Sequence, residues 1–264
     1  MCVIIKSNGI TYFLDVEKTY AFSLLNDFKG FYICIMQNIL CIETATEVCS
    51  IALEGSDGTL HLTESQDARS HTRSSTLFIK KVLSSAGITI NDIDAIAISS
   101  GPGSYTGLRV GASIAKGICY TLDLPLIQVS TLESIASSTR KAYPGSDKLH
   151  IPMIDARRME VYTASYDASG EQKGTLEAKI LDETSFLDQL VGYEKLVFSG
   201  NGSAKFAEII DNPDFIFSDA VCSASWMVAL AREKYERQEY IDASYYKPEY
   251  LKAPNITRSK KKLF

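Results

Sequence analysis

Residues 99–111 read SSGPGSYTGLRVG, a glycine-rich run that follows an apolar stretch and precedes an amphipathic one. Where such a run joins a strand to a helix, backbone N–H groups and the helix dipole favour an anion. Gly101, Gly103, Ser104, Thr106 and Gly107 are therefore the candidate phosphate or nucleotide loop. The spacing matches neither GxxxxGK followed by Ser or Thr nor GxGxxG, which excludes a P-loop and a Rossmann fingerprint. A tight turn that needs glycine only for its backbone accounts for the same residues, and both readings stay open. A second cluster, DARRMEVY at residues 155–162, gathers Asp155, Arg157, Arg158 and Glu160, the residue types of an acid, a base and a phosphate clamp. Asp155 ends an apolar run and the arginines fall in a hairpin turn, so turn capping and local ion pairing suffice, and no activated nucleophile stands nearby. Glu43 ends another apolar run with no metal partner in view, and Gly200 and Gly202 read as a plain strand-to-helix turn. The three histidines, His61, His71 and His150, lack ligand spacing, and the six cysteines form no CxxC pair. No catalytic residue and no metal site is assigned.

The elements that position these residues follow from hydrophobic periodicity. Strands are expected at 38–43, 48–53 and 59–65, a helix at 72–86 closed by Gly87, a strand at 93–99, a helix at 108–121, a strand at 126–130 and a helix from Thr131. The second half repeats the order, with strands at 151–155, 160–166 and 173–181, a helix at 183–190, a strand at 195–199, a helix at 204–210, a strand at 215–218 and a long helix at 223–237. Two copies of βββαβαβα make an α/β protein of two similar lobes. The expected divisions are an N-terminal extension (1–35), a partner-binding first lobe (36–140), a second lobe (141–222), a long helix and tail segment packing back between the lobes (223–250) and a basic tail (251–264). Residues 137–148, rich in Ser, Lys, Pro and Gly, are the expected connection.

With 264 residues, 45% of them hydrophobic, the chain can bury a substantial core. Its longest apolar run, residues 31–36, is far short of the ~20 residues of a membrane span. Acidic Asp15 and Glu17 interrupt any secretory h-region. Cysteines set within apolar runs fit a reducing compartment, so the expected location is the cytoplasm and no membrane partner is expected. The net charge of −5 is unevenly spread: from Lys247 onward six bases face one acid, giving +5 and leaving −10 on the rest. Such a body is a poor broad surface for nucleic acid, and the tail is the electrostatic candidate, with Arg258, Lys260, Lys261 and Lys262 as possible nucleic-acid contacts or as a solvated terminus.

The segments ILCIET at 39–44, SIAL at 50–53, the glycine run, QVSTLE at 128–133 and DARRMEVY resemble the TsaB (YeaZ) family, subunits of the bacterial tRNA threonylcarbamoyladenosine machinery. The resemblance runs from Met36 to about Tyr250. It implies the two-lobed, RNase H-like fold of actin, hexokinase and the Hsp70 ATPase, which agrees with the doubled pattern. In the catalytic subunit of that machinery, TsaD, the matching helix carries two metal-binding histidines in VxHLEGH; Thr131 and Ile135 stand there in this chain, so the resemblance brings no metal site with it. It implies a non-catalytic subunit that dimerises with a TsaD-like transferase, supports threonylcarbamoylation of adenosine 37 in tRNAs reading A-starting codons, and pairs with itself when alone. A TsaE-like ATPase and a TsaC-like synthase are further implied partners, tRNA is met through the complex, and ATP and metal belong to partner subunits rather than to this chain. The alternative from another class is a stand-alone ATP-dependent kinase of small metabolites or an ATPase.

Pairing through the first lobe would use the helices flanking the glycine run. Leu77 and Phe78 on the first, and Leu108, Val110, Gly111, Ala112, Ile114, Ala115, Ile118 and Cys119 on the second, are the candidate partner interface. Ala112→Glu and Ala115→Arg are then expected to block pairing and leave the monomer folded. Residues 1–35 lie outside the resemblance, and an over-called start or an extension with an extra strand at 10–16 are the two expectations for them.

Overall fold

A computed structural model describes residues 2–7, 10–15, 32–35, 37–55, 58–65 and 71–252. Three strands, β1 (Cys2–Ser7), β2 (Ile10–Asp15) and β3 (Tyr32–Ile35), form an antiparallel sheet of order β2-β1-β3, and β2 occupies the extra strand expected at 10–16. The first half of the repeat then runs β4 (Ile39–Glu43), β5 (Cys49–Glu54), β6 (Leu60–Ser65), α1 (His71–Ala86), β7 (Ala95–Ser99), α2 (Tyr105–Leu122), β8 (Leu126–Val129) and α3 (Thr131–Ala142). The second half runs β9 (Lys148–Asp155), β10 (Glu160–Thr163), β11 (Glu177–Ile180), a 3-10 turn at Leu187–Leu190, β12 (Lys195–Ser199), α4 (Ser203–Ala207), β13 (Phe215–Phe217), a 3-10 turn at Ala224–Trp226 and α5 (Met227–Glu236). Their sheets have matching orders, β6-β5-β4-β7-β8 and β11-β10-β9-β12-β13. In each, the first three strands are an antiparallel meander and the last two join the first in parallel.

Strand chemistry decides which helix covers which face. β4 is buried along its whole length, as a central strand covered on both sides must be. On one face Leu40, Ile42, Ile96 and Ile98 pack with Ala112, Ala115 and Cys119 of α2 and with Ile79, Val82 and Leu83 of α1. The other face offers smaller side chains, Cys41, Ala52, Ala95 and Ala97, and takes α5 through Met227, Val228, Leu230 and Ala231. Small residues there let the helix approach closely. The last helix of each repeat thus crosses to the other sheet. Leu132, Ile135 and Ala136 of α3 cluster with Ile154, Ala164 and Tyr166 of the second sheet, while α5 closes the first. The opposite face of the second sheet holds an aromatic core in which Phe198 meets Phe186, Phe206, Phe215 and Phe217 at 5.0–5.4 Å between ring centroids.

Four expectations need correction. The helix expected at 183–190 is only the 3-10 turn at its end. Asp182 Oδ1 accepts hydrogen bonds from the N–H and hydroxyl of Thr184 and from the hydroxyl of Ser185, and Phe186 adopts a left-handed φ of 67° as it enters the aromatic core. That turn competes with a helix start. Residues 137–142 of the expected connection belong to α3, because Ser138 and Thr139 bond back to the Ile135 and Ala136 carbonyls instead of opening a loop. The long helix expected at 223–237 is a 3-10 turn followed by α5, which covers the first sheet and pairs through Lys234 with Glu133 of α3. Finally, α2 begins at Tyr105, so Thr106 and Gly107 belong to a helix and not to a loop.

Candidate functional site

The glycine run is filled by protein. Ser104 caps α2 by accepting from Gly107 N–H at 3.2 Å, and its own N–H donates to the Ala45 carbonyl at 2.5 Å. A Cβ at position 107 would collide with the Thr44 carbonyl, one at 103 with the Ala45 carbonyl, and one at 101 would lie 2.7 Å from the Glu249 carbonyl. These glycines let the β4–β5 turn and the C-terminal segment lie against the loop. The amides of Ser104, Gly107 and Leu108 are already engaged within the protein and are not free for a phosphate. Thr106 stays exposed in the first turn of α2. Gly107→Ala is expected to cost roughly 1–3 kcal/mol by forcing the Thr44 backbone away, a fall in Tm of several degrees by circular dichroism. Gly117→Ala, where a Cβ meets nothing within 4 Å, is expected to raise stability by up to ~1 kcal/mol.

Side chains bridge the two halves of the fold. Asn201, between Gly200 and Gly202, donates to Glu47 of the first lobe at 2.7 Å and accepts from Asp155 N–H at 3.0 Å. Lys205 Nζ binds the Asp155 carboxylate and donates to the carbonyls of Arg158 and Glu160 at 2.7 Å. Lys252, at the end of the C-terminal segment, pairs with Glu160. The expected turn cap is present, with Arg157 N–H donating to Asp155 Oδ1 at 2.8 Å. The expected local ion pairing is corrected in its partners: the acids pair with Lys205 and Lys252, not with Arg157 or Arg158. Sequence reading missed Asn201, Lys205 and Lys252; asparagine between two glycines was the one local signal.

Glu43, the last residue of β4, is fully buried. Its Oε1 accepts from Ala45 N–H at 2.6 Å while Oε2 has no partner. Desolvation pushes its pKa up to about 7, against the opposing hydrogen bonds from Ala45, Ser99 and Thr44. His150, also fully buried, shares a hydrogen bond of 3.1 Å with Thr139 and has its pKa lowered to about 4 by desolvation, with the charges of Arg140 and Lys148 adding to it. Thr131 and Ile135 are fully buried. Among the described residues no group of three or more His, Cys, Asp or Glu could hold a metal ion. Cys41, Cys49, Cys119 and Cys222 are buried free thiols whose pKa values burial raises.

The outer face of the first lobe separates the candidate interface residues into two groups. Leu108, Gly111, Ala112, Ala115 and Cys119 form the buried stripe of α2 against the sheet and are core. Their expected place on a partner surface is therefore corrected. Ile118, Phe78 and Ile114 are half-buried at its margin, Val110 is half-buried, and Leu77 is 58% exposed. Ser113 and Gly117, one helical turn apart, are the exposed small positions, with Tyr120 88% exposed just beyond. A groove of about 400 Å³ runs along Tyr105, Thr106, Arg109, Val110, Ser113 and Ile114. The C-terminal segment borders this face: Tyr250 lies 4.8 Å from the Tyr105 ring and accepts from Arg109, and Lys116 donates to the carbonyls of Ser244 and Tyr246. Arg258, Lys260, Lys261 and Lys262 lie outside the described residues.

Residues 61–256 match the family described as TsaD, tRNA N6-adenosine threonylcarbamoyltransferase. The "tRNA threonylcarbamoyladenosine biosynthesis protein TsaB" of Haemophilus influenzae is 30% identical over 229 residues, 82% of this chain and 95% of that protein. Its Escherichia coli counterpart is 32% identical over 224 residues, 81% of this chain and 94% of that protein. The structure of YeaZ from Pseudomonas aeruginosa superposes with a TM-score of 0.71 at 25% identity, over 82% of this chain and all of that one. Nearly the whole length of both TsaB relatives is spanned. This chain belongs to the TsaB (YeaZ) family.

Proposed function

We propose that this chain is a non-catalytic subunit that pairs through the α1–α2 face with a TsaD-like threonylcarbamoyltransferase and so supports N6-threonylcarbamoylation of adenosine 37 in tRNAs reading A-starting codons. Family membership supports the process. The observation that carries the role is the closed glycine run, packed on the Thr44–Ala45 backbone, with the Ser104 amide bound to the Ala45 carbonyl and the Gly107 amide to the Ser104 cap. A stand-alone kinase would need that space. ATP and metal are assigned to partner subunits, among them a TsaE-like ATPase, with a TsaC-like synthase supplying threonylcarbamoyl-AMP. The partner face is Leu77, Phe78, Val110, Ser113, Ile114, Gly117 and Ile118, through which the chain also pairs with itself when alone. Among the described residues no helix is long and apolar enough to cross a membrane, and buried free thiols suit a reducing cytoplasm, where tRNA is modified. Light scattering on a mixture with the cognate TsaD-like subunit tests the pairing. A one-to-one complex is expected, and two species that keep their separate masses at micromolar concentration would contradict it.

A further inference from the structure

The tip of the β9–β10 hairpin is built in an unfavourable way for its sequence. Arg157 and Arg158 both take left-handed backbone, with φ of 73° and 53°, a conformation that suits glycine or asparagine and is costly for a long side chain. The surroundings hold it there. Beneath the turn, Lys205 draws the Arg158 and Glu160 carbonyls and the Asp155 carboxylate onto one ammonium group, and Asn201 fixes the Asp155 amide. Both arginines are exposed, and their guanidinium groups have no hydrogen bond or ion pair among the described residues. The nearby acids are already neutralised, Asp155 by Lys205 and Glu160 by Lys252. Two uncompensated forks therefore project from a braced turn.

Backbone strain maintained by surrounding contacts is a mark of function, and guanidinium forks match phosphate oxygens bidentately. We propose that the Arg157–Arg158 tip is a phosphodiester-binding site by which this chain holds an RNA backbone, an inference that rests on the tRNA-modifying role above. An acidic protein partner is the weaker fit. Protein interfaces centre on desolvated apolar anchors, and the tip exposes charge with no large apolar side chain of its own. Placing these arginines on a chain whose residues before Lys247 sum to −10 confines RNA contact to a small basic region and keeps the rest of the surface repulsive.

Arg157→Asn/Arg158→Gly removes both charges and supplies residues that accept left-handed backbone, so its Tm should equal or exceed that of the wild type. In the complex with the TsaD-like subunit, titrated with unmodified tRNA by fluorescence anisotropy from 50 to 300 mM KCl, this variant should lose roughly tenfold in affinity near 100 mM and lower the salt slope of log K by about 1–2. Arg157→Glu/Arg158→Glu should lose more. Lys141→Gln/Arg237→Gln, the same charge change at exposed sites elsewhere, should lose markedly less. Unchanged affinity and slope in a folded Asn/Gly variant would overturn the site, as would equal losses in the control pair. A variant that binds tRNA normally but no longer joins another subunit would assign the tip to protein. A wild-type complex that binds tRNA salt-dependently through these arginines yet modifies nothing would keep the site and remove the role on which it was built.

Discussion

Ala115→Arg is expected to unfold the first lobe, and Gly117→Arg, two residues further along α2, to leave the fold intact and abolish pairing. Ala115 is fully buried against the central strands. Arginine there overfills the core and buries a charge with no partner, a combination worth roughly 3–5 kcal/mol or more out of a typical stability of about 5–15. Position 117 faces outward with nothing within 4 Å of a Cβ, so the side chain has room and helix propensity improves by up to ~1 kcal/mol. At the centre of a helix-packed interface the same side chain should cost on the order of 2–4 kcal/mol, or about 30-fold to 1,000-fold in affinity. Thermal melts by circular dichroism and mass by light scattering separate the two failures. Wild-type pairing by Gly117→Arg would move the partner face elsewhere; a folded, unpaired Ala115→Arg would return the buried stripe to the surface.

The second large effect is a pair of opposed pH dependences. Glu43 has a folded pKa of about 7 against an ordinary 4.5, so the folded state holds the extra proton and Glu43's contribution falls as pH rises from about 4.5 to about 7. For His150 the folded value is about 4 against an ordinary 6.5, so the unfolded state holds the extra proton and its contribution grows as pH rises from about 4 to about 6.5. Each amounts to on the order of 3 kcal/mol. Because the windows overlap and the signs oppose, the wild type should show nearly constant stability between about pH 5 and 6.5. Glu43→Gln leaves the histidine effect alone, so this variant should gain stability with pH across that window and exceed the wild type above pH 7. His150→Gln should lose stability with rising pH. Urea unfolding at pH 5, 6, 7 and 8 measures all three, and parallel profiles would show that neither group is held neutral by burial.

The sequence displayed the periodic elements well and their destinations poorly. β7 announces itself as an apolar run before the glycines, and Gly87 takes the left-handed position after α1 as expected, with φ of 68°. Which sheet a helix covers is not written in its periodicity: α3 and α5 look like the closing helices of their own repeats and exchange sheets in the fold. The α2 stripe was ambiguous for a related reason. Ala112 and Ala115 are small enough for core or surface, whereas Ile114 and Ile118 are large yet sit half-exposed at the margin. For the glycine run the residues were found and their purpose was not, because the carbonyls of Thr44 and Ala45 that fill it are some sixty residues away in the chain. The bridges from Asn201 to Glu47 and Lys252 to Glu160 are long-range for the same reason.

The proposed role of this chain is to support transfer without performing it. The direct test is threonylcarbamoyl incorporation at adenosine 37 of an unmodified tRNA, measured with the TsaD-like, TsaE-like and TsaC-like proteins, threonine, bicarbonate and ATP, in the presence and absence of this chain. No incorporation is expected by the chain alone, little by the others without it, multiple turnovers when it is added, and loss of that gain with Gly117→Arg. Incorporation by the chain alone, or an equal yield when it is left out, would rule out that role.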